Sequence, residues 1–597
     1  MKVGFITPIL VLISSIVFGQ FKDISYFLEG PNIHSYDQDI DEMPLRVSGG
    51  LAVGDVNNDG FQDLLFSLGD NQCLKLLLNI DGFYFLDKTE DFKLNNLEFR
   101  SSSPHFFNLN NDAYLDVIVG SVDGMKPLVF LNIDGQNFEL QENPEFDILN
   151  GRNTITIESV DYNNDGYEDL FLSHWLEDFR SDHFWRNLGN GKFESVDSLI
   201  GFYSPFGSTD YSHNAKFIDL NDDTFSDLLL SSDFGTSQVW INNSGEEFIY
   251  DETNLLLDEN AMGSSIADFD NDGDFDWFVT SIFDDDGILE GNWGGSGNKF
   301  YINDGLGSFT EAAEDLGLTD GSWGWGTSFG DFNNDGYQDV VVVNGWPQGS
   351  DQFKNDQLKL FISQEAEFFI ESAGALGIID TLQGRGVSVF DYNLDGCLDL
   401  VVSNYRGPLK LYENQCNGNN YLAITLEESE NNPFGEGCEV ELYAEGSIQL
   451  REVSNSSNYV SQNPLELHFG LKNTEKIDSL IVFWNDQSES RMYNVDVNQR
   501  IHIKKPNLQF EQIVGEGITF PNPSRNYISL VLDIPLRSNE NIFVYNSNGD
   551  LQELELEPLV HGGKTYFENI NIERLSAGLY FFANPDLDLK AIPFIKL

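Results

Sequence analysis

Seven copies of one acidic loop, D-x-N/D-x-D-G-x-x-D, carry the residues of this chain best suited to chemistry. Oxygen side chains fall at positions 1, 3, 5 and 9, and a backbone carbonyl is free at position 7. That set suits a hard cation, since calcium takes roughly six to eight oxygens in a flexible shell. The candidate ligands are Asp55, Asn57, Asp59 and Asp63; Asp161, Asn163, Asp165 and Asp169; Asp219, Asn221, Asp223 and Asp227; Asp268, Asp270, Asp272 and Asp276; Asp331, Asn333, Asp335 and Asp339; and Asp391, Asn393, Asp395 and Asp399. The second copy has Asn108 at position 1 and Ala113 at the turn, which predicts weak or absent metal. The fourth keeps its acids but turns at Thr224, which leaves its metal open. The fifth, with four aspartates, is the richest. Surface turns rich in Asp, Asn and Gly are common. Seven of them in register are not explained that way.

The loops start at Asp55, Asn108, Asp161, Asp219, Asp268, Asp331 and Asp391, in steps of 53, 53, 58, 49, 63 and 60 residues. A repeat of this length signals one supersecondary unit per copy. Apolar runs flank each loop, as Leu51-Ala52-Val53 and Leu64-Leu65-Phe66 flank the first, so the loop joins two antiparallel strands. A third strand and a tight turn into a fourth follow, as in Leu74–Leu78, Asp81-Gly82 and Phe83–Leu86. Four strands per repeat predict the blades of a seven-bladed β-propeller, an all-β fold. The seventh repeat ends at Asn414 without a fourth strand. Phe21–Ser25 is expected to supply it and to close the ring, removing exposed sheet edges.

These loops resemble the calcium-binding FG-GAP/VCBS repeats of integrin-type propellers. The segment Trp323–Gly326 followed by Asp331–Gly336 resembles the cartilage-acidic-protein group in particular. The resemblance covers about residues 20–416. Residues 417–506 resemble the ASPIC/UnbV domain, through Phe434–Cys438, Arg451-Glu452-Val453, Leu467–Leu471 and Ile481–Trp484; the match departs at Asn485-Asp486. Their alternating apolar residues suggest a small β-domain packed on the propeller. After a linker at 507–514, residues 515–597 resemble the type A sorting domain of the Bacteroidetes type IX secretion system. That rests on Phe520–Pro523, Val544–Gly549 and Leu575–Tyr580, and implies the type IX machinery as a partner and a β-sandwich fold. Residues 1–19 read as a signal peptide: Lys2 precedes an apolar run to Val17, too short for a confident membrane span. No other stretch is long and apolar enough to cross a bilayer.

The chain has 98 acidic and 32 basic residues, a formal charge of −66. Nucleic acid and acidic membranes are therefore poor partners, because phosphate binding needs a basic face. Four cysteines, Cys73, Cys397, Cys416 and Cys438, allow three pairings, and sequence does not choose among them.

The blade ends opposite the loops collect His105, His174, Trp175, His183, His213, Trp293, Trp323, Trp325 and Trp346. One reading is packing. A second is recognition of an extracellular ligand, carbohydrate or protein, on aromatic loops. A third is an extracellular enzyme acting on polysaccharide or another ligand, using histidine with Asp178, Asp182 or Asp210. No nucleophile motif, phosphate loop or zinc spacing supports the third. The expectation is a secreted or surface-attached, calcium-stabilised recognition module and not an enzyme.

Overall fold

Period-two alternation and glycine turns give this chain strands almost throughout. The structure, a computed structural model, describes residues 20–35, 43–69 and 74–505 apart from short interruptions, the longest at 179–182 and 288–293, and the strands of a final module from residue 518 on. The signal sequence at 1–19, the linker at 507–514, Cys73, Asp182 and Trp293 lie outside the described residues.

The first sheet is a meander of Leu51–Gly54, Asp63–Ser67, Leu74–Ile80 and Tyr84–Asp87, each strand antiparallel to the next. Six more four-stranded sheets repeat it. Their first strands are Ser101–Phe107, Thr156–Val160, Ser212–Ile218, Ser264–Ala267, Gly324–Gly330 and Gly384–Phe390. Each first strand neighbours the next, and the seventh returns to the first, so the sheets form a closed ring. The last sheet takes its outer strand from the N-terminus: Phe21–Asp23 pairs antiparallel with Lys410–Asn414, Phe21 opposite Asn414.

An asparagine ends the third strand of six sheets. In five of them it caps its own turn, and in five it bridges to the neighbouring sheet: Asn132 Nδ2 donates to Val56 O at 2.9 Å, Asn187 to Leu109 O at 3.0 Å, Asn242 to Tyr162 O at 2.8 Å, and Asn414 to Phe332 O at 2.8 Å. Asn79 reaches Tyr392 O at 2.8 Å and so ties the first sheet to the last. These are buried amides, and leaving one unpaired costs about 1–3 kcal/mol.

A second β-domain, in the same compact unit, follows the ring. Tyr421–Glu427 lies between Leu467–Gly470 and Gln499–Lys504 in one sheet. Glu439–Ala444, Ser447–Glu452, Lys476–Phe483 and Glu489–Asp496 form another. Leu422, Ile424, Val440, Leu442, Phe469 and Trp484 pack between them. Its segment 453–466 leaves both sheets and enters the ring. Ser461–Gln462 pairs parallel with Leu51–Ala52. Gln462 brackets the backbone of Phe106, accepting from its N–H at 2.7 Å and donating to its carbonyl at 2.8 Å. Ser457 donates to Glu158 and accepts from Asn214. Asn463 accepts from Val389 N–H and donates to Ser328 Oγ, each at 2.9 Å. The segment thus meets the inner strands of six of the seven sheets and fills the centre of the ring. Gly50 makes room for it: a Cβ there would sit 2.0 Å from the Val460 carbonyl.

The final unit, residues 506–597, holds two four-stranded sheets. One contains Tyr527–Leu532 and Lys564–Asn571, the other Phe543–Asn546 and Gly578–Ala583. Among the described cysteines, Cys397 and Cys416 form a disulfide, and Cys438 is buried and free.

Candidate metal centres and the opposite face

Each acidic loop folds around its own carboxylates. In the first, Asp55 Oδ2 accepts Gly60 N–H at 2.7 Å, Asp55 Oδ1 accepts Asp59 N–H at 3.1 Å, and Asp59 Oδ1 accepts Phe61 N–H at 3.0 Å. The same hydrogen bonds recur around Asp161, Asp165 and Tyr167, around Asp219, Asp223 and Phe225, around Asp331, Asp335 and Tyr337, and around Asp391, Asp395 and Cys397. The ninth-position aspartate does a second job. Asp63 Oδ2 accepts Val56 N–H and its Oδ1 accepts Asn79 N–H at 2.8 Å, pinning the loop to the third strand. Asp227, Asp276, Asp339 and Asp399 hold both backbone groups in the same way, and Asp169 Oδ1 accepts Asn187 N–H. An oxygen with one such bond keeps a lone pair free for a cation.

The loops are linked. Position 4 adopts the left-handed conformation in six of them, as at Asn58 with φ 56°. Its amide then reaches the next loop's turn carbonyl: Asn58 to Ala113, Asn111 to Gly166, Asn164 to Thr224, Asn271 to Gly336 and Asn334 to Gly396. In the seventh loop this position is Leu394, which has no amide to offer. In the fourth loop Thr224 sits at φ 77°. That is strained for a β-branched residue. In the second, Asn108 spends its amide on Asp112 O at 3.1 Å.

The donor sets fit a divalent cation best in the fifth and sixth loops. Asp268, Asp270 and Asp272 bring one carboxylate oxygen each within 4.8 Å of one another, the only such group among the described residues. Asp270 Oδ1 and Asn333 Oδ1 are buried with no hydrogen-bond partner. In the five other loops the position-3 asparagine donates its amide to an acid, as Asn57 does to Asp59 and Asn393 to Asp395 at 3.0 Å, Asn110 to Asp112 at 2.8 Å, and Asn163 and Asn221 to Asp169 and Asp227. Burial pushes the acids up, and neighbouring carboxylates add to it: Asp268 and Asp270 to about 6, Asp331 to about 7 and Asp276 to about 8.

On the opposite face the described tryptophans and histidines are buried. Trp175, Trp323, Trp325 and Trp346 are 3–7% exposed. Trp323 stacks on Trp346 at 4.8 Å, and Trp175 on His213 at 5.2 Å. Tyr459, at the tip of the inserted segment, packs on Trp325 and His213 and donates to Val47 O. His105, His174, His183 and His213 are all buried, and desolvation drives their pKa down to about 3 or 4. His183 Nε2 and Asp210 Oδ2 lie 3.3 Å apart, both buried. Of the three readings of this face, the four described tryptophans take the first: they are packing, around a segment whose polar sequence does not announce it there. Three exposed aromatics flank the fourth sheet: Tyr203 and Phe206 in the connection that precedes it, and Phe234 after its second strand, are 56%, 46% and 44% exposed.

FG-GAP-like repeats match residues 108–172, 161–230 and 283–342. The ASPIC and UnbV family matches 428–509, and the secretion system C-terminal sorting domain matches 519–586. The chain carries FG-GAP repeats, an ASPIC/UnbV domain and a secretion sorting tail. It is distantly related to cartilage acidic protein 1: 23% identical to that of Xenopus tropicalis over 75% of this chain and 72% of the relative, and 26% to that of Mus musculus over 44% and 40%. The human T-cell immunomodulatory protein is 24% identical over 59% of each chain. A solved structure of BBS1N in complex with ARL6DN is 8% identical, covers 64% of this chain and 96% of its own, and has a TM-score of 0.36, too low to bear on the fold. The sorting tail makes this a secreted or cell-surface protein of the type IX route. No described helix is long and apolar enough to cross a membrane.

Proposed function

We propose that the protein is a calcium-stabilised extracellular propeller that acts as a recognition or adhesion module, not an enzyme. The observation that carries the calcium reading is the Asp268–Asp270–Asp272 group, three converging carboxylates with a buried, unpartnered oxygen. Residues at positions 1, 3, 5 and 9 would hold the ion, which supplies charge neutralisation where burial has left the acids uncompensated. Binding chemistry is favoured over catalysis because the candidate acid–base residues His183 and Asp210 are sealed in packing. Tyr203, Phe206 and Phe234 offer ring faces to a carbohydrate or protein surface.

Metal bound only by the folded form adds roughly 2.7 kcal/mol per site at a hundredfold excess over Kd. Calcium should therefore raise the melting temperature of chelated protein, and magnesium less so. Asp272→Ala should remove more of that gain than Asp112→Ala, since the second loop lacks an aspartate at position 1. An unchanged melt after verified metal removal refutes the calcium reading. Paired Tyr203→Ala and Phe206→Ala variants, screened on a polysaccharide array against the parent protein, test the recognition surface.

A further inference from the structure

The ASPIC/UnbV domain does not cover the loops evenly. First-position carboxylates Asp268, Asp331 and Asp391, in loops five to seven, are 0%, 1% and 2% exposed. Asp55, Asp161 and Asp219 keep part of their surface in solvent. The second domain touches the cation-binding positions of loops five to seven, whereas in loop three it reaches the position-8 side chain, Asn455 Nδ2 donating to Glu168 at 2.9 Å. Leu450 N–H donates to Asp268 Oδ2 at 3.3 Å. Lys472 N–H donates to Asn334 O at 2.8 Å, and Asn419 Nδ2 to Asn333 O at 2.9 Å. His468 Nε2 lies 3.2 Å from Gly396 O, and Arg500 Nη1 2.8 Å from Asp391 Oδ2. These contacts use loop backbone at positions 3, 4 and 6, so the domain docks only on loops already wound into this shape.

The electrostatics do not close without a further cation. In loops five to seven Asp268, Asp331 and Asp391 are buried and Asp270 and Asp335 half-buried, beside the ninth-position acids Asp276, Asp339 and Asp399. The domain answers with three cations, Arg451 near Asp268 and Asp331, Arg500 on Asp391, and Lys472 near Asp335, itself paired with Glu365. Arg500 is shared with Glu466. Burying a carboxylate without a counter-charge costs several kcal/mol, so docking over these loops opposes itself unless the acids are neutralised. Asp270 Oδ1 in loop five and Asn333 Oδ1 in loop six, buried without hydrogen-bond partners, point to the same deficit.

We propose that divalent cations in loops five to seven are what seats the ASPIC/UnbV domain on the propeller, and that their loss unseats it and withdraws segment 453–466 from the ring. This rests on the calcium reading above. Linkage makes it reciprocal: a seated domain must also raise cation affinity in those three loops.

The test uses the full chain and reads amide hydrogen exchange with calcium and with EDTA, alongside direct measurement of bound calcium. Chelation should speed exchange at Tyr459–Gln462 by at least about tenfold, while the inner strands of sheets one to three stay protected. Asp270→Asn should shift the calcium concentration that protects the segment upward, by about tenfold; Asp59→Asn in the uncovered first loop should leave it unchanged. If either variant misfolds, the EDTA titration of the parent chain decides. Calcium that binds and raises the melt, yet leaves exchange at 459–462 unaltered, overturns this inference and spares the calcium reading. Equal shifts from both variants also overturn it. No bound calcium overturns both.

Discussion

At the scale of single residues, burial decides which titratable groups act as charges. His105 and His213 are held down to about 3, and His174 and His183 to about 4, each chiefly by desolvation. Unfolded histidine takes a proton near pH 6.5. The unfolded chain therefore gains protons first, and the stability these residues carry is whole above about pH 6.5 and is lost as pH falls toward 4. With calcium saturating, the four imidazole signals should hold their neutral positions in carbon-13 NMR at pH 5.5 while the melting temperature already falls. A midpoint near 6.5 for any of them in folded protein would refute its burial. The loop acids were legible in the sequence because a motif with fixed offsets announces them. The bridging asparagines were not, since Asn near a Gly turn has a local explanation already. Yet a signal was there: Asn79, Asn132 and Asn242 each precede a turn glycine by three residues, Gly82, Gly135 and Gly245, and each accepts that glycine's N–H.

At the scale of elements, the ring depends on one short strand from the far end of the chain. Phe21–Asp23 pairs with Lys410–Asn414, Ile24 donates its N–H to Leu411 O, and Lys410 Nζ pairs with Asp23 at 2.8 Å. Phe21 itself packs edge-on against Phe332 at 5.8 Å, so the strand also carries core. Deleting residues 21–30 from the mature protein should strip the seventh sheet to three strands and bare the edge of Lys410–Asn414. Loss of Phe21, Ile24 and Leu28 from the core costs about 2–5 kcal/mol each by analogy with large-to-small changes. Aggregation by light scattering, or a broad and early melt, is the expected result; a monomer with unchanged melting would show closure elsewhere. This strand was readable because the count of fourth strands came out one short. The inserted segment 453–466 was not. It is short and polar, with Ser454, Asn455, Ser456, Ser457 and Asn458 in a row, and reads as a surface loop. It is polar because its partners are backbone groups and buried polar side chains of the inner strands, including Glu158 and Lys216. Only the structure supplies those partners.

At the scale of the whole molecule, charge and modularity set what each part can do. Loop positions 1, 3, 5 and 9 hold 21 of the 98 acids, so even full occupancy of seven sites by divalent ions leaves the chain strongly negative. That favours solubility outside the cell and disfavours phosphate-rich partners. The compact unit ending at Lys505 contains every acidic loop and the domain that docks on loops five to seven. The unit from Pro506 to Leu597 has its own two sheets and carries the sorting match at 519–586. Export and calcium response should therefore separate cleanly. Deletion of residues 515–597 should leave the calcium-dependent rise in melting temperature intact, because no loop ligand is lost. The same deletion should hold the protein in the periplasm, because the address read by the secretion machinery is gone while the N-terminal signal still takes it across the inner membrane. Fractionation of a host with a working type IX system, with the melt measured on purified material, checks both halves. Truncated protein at the cell surface would reassign the last module from sorting to adhesion. A calcium response lost with the tail would mean that the two units, compact as each is, do not fold apart.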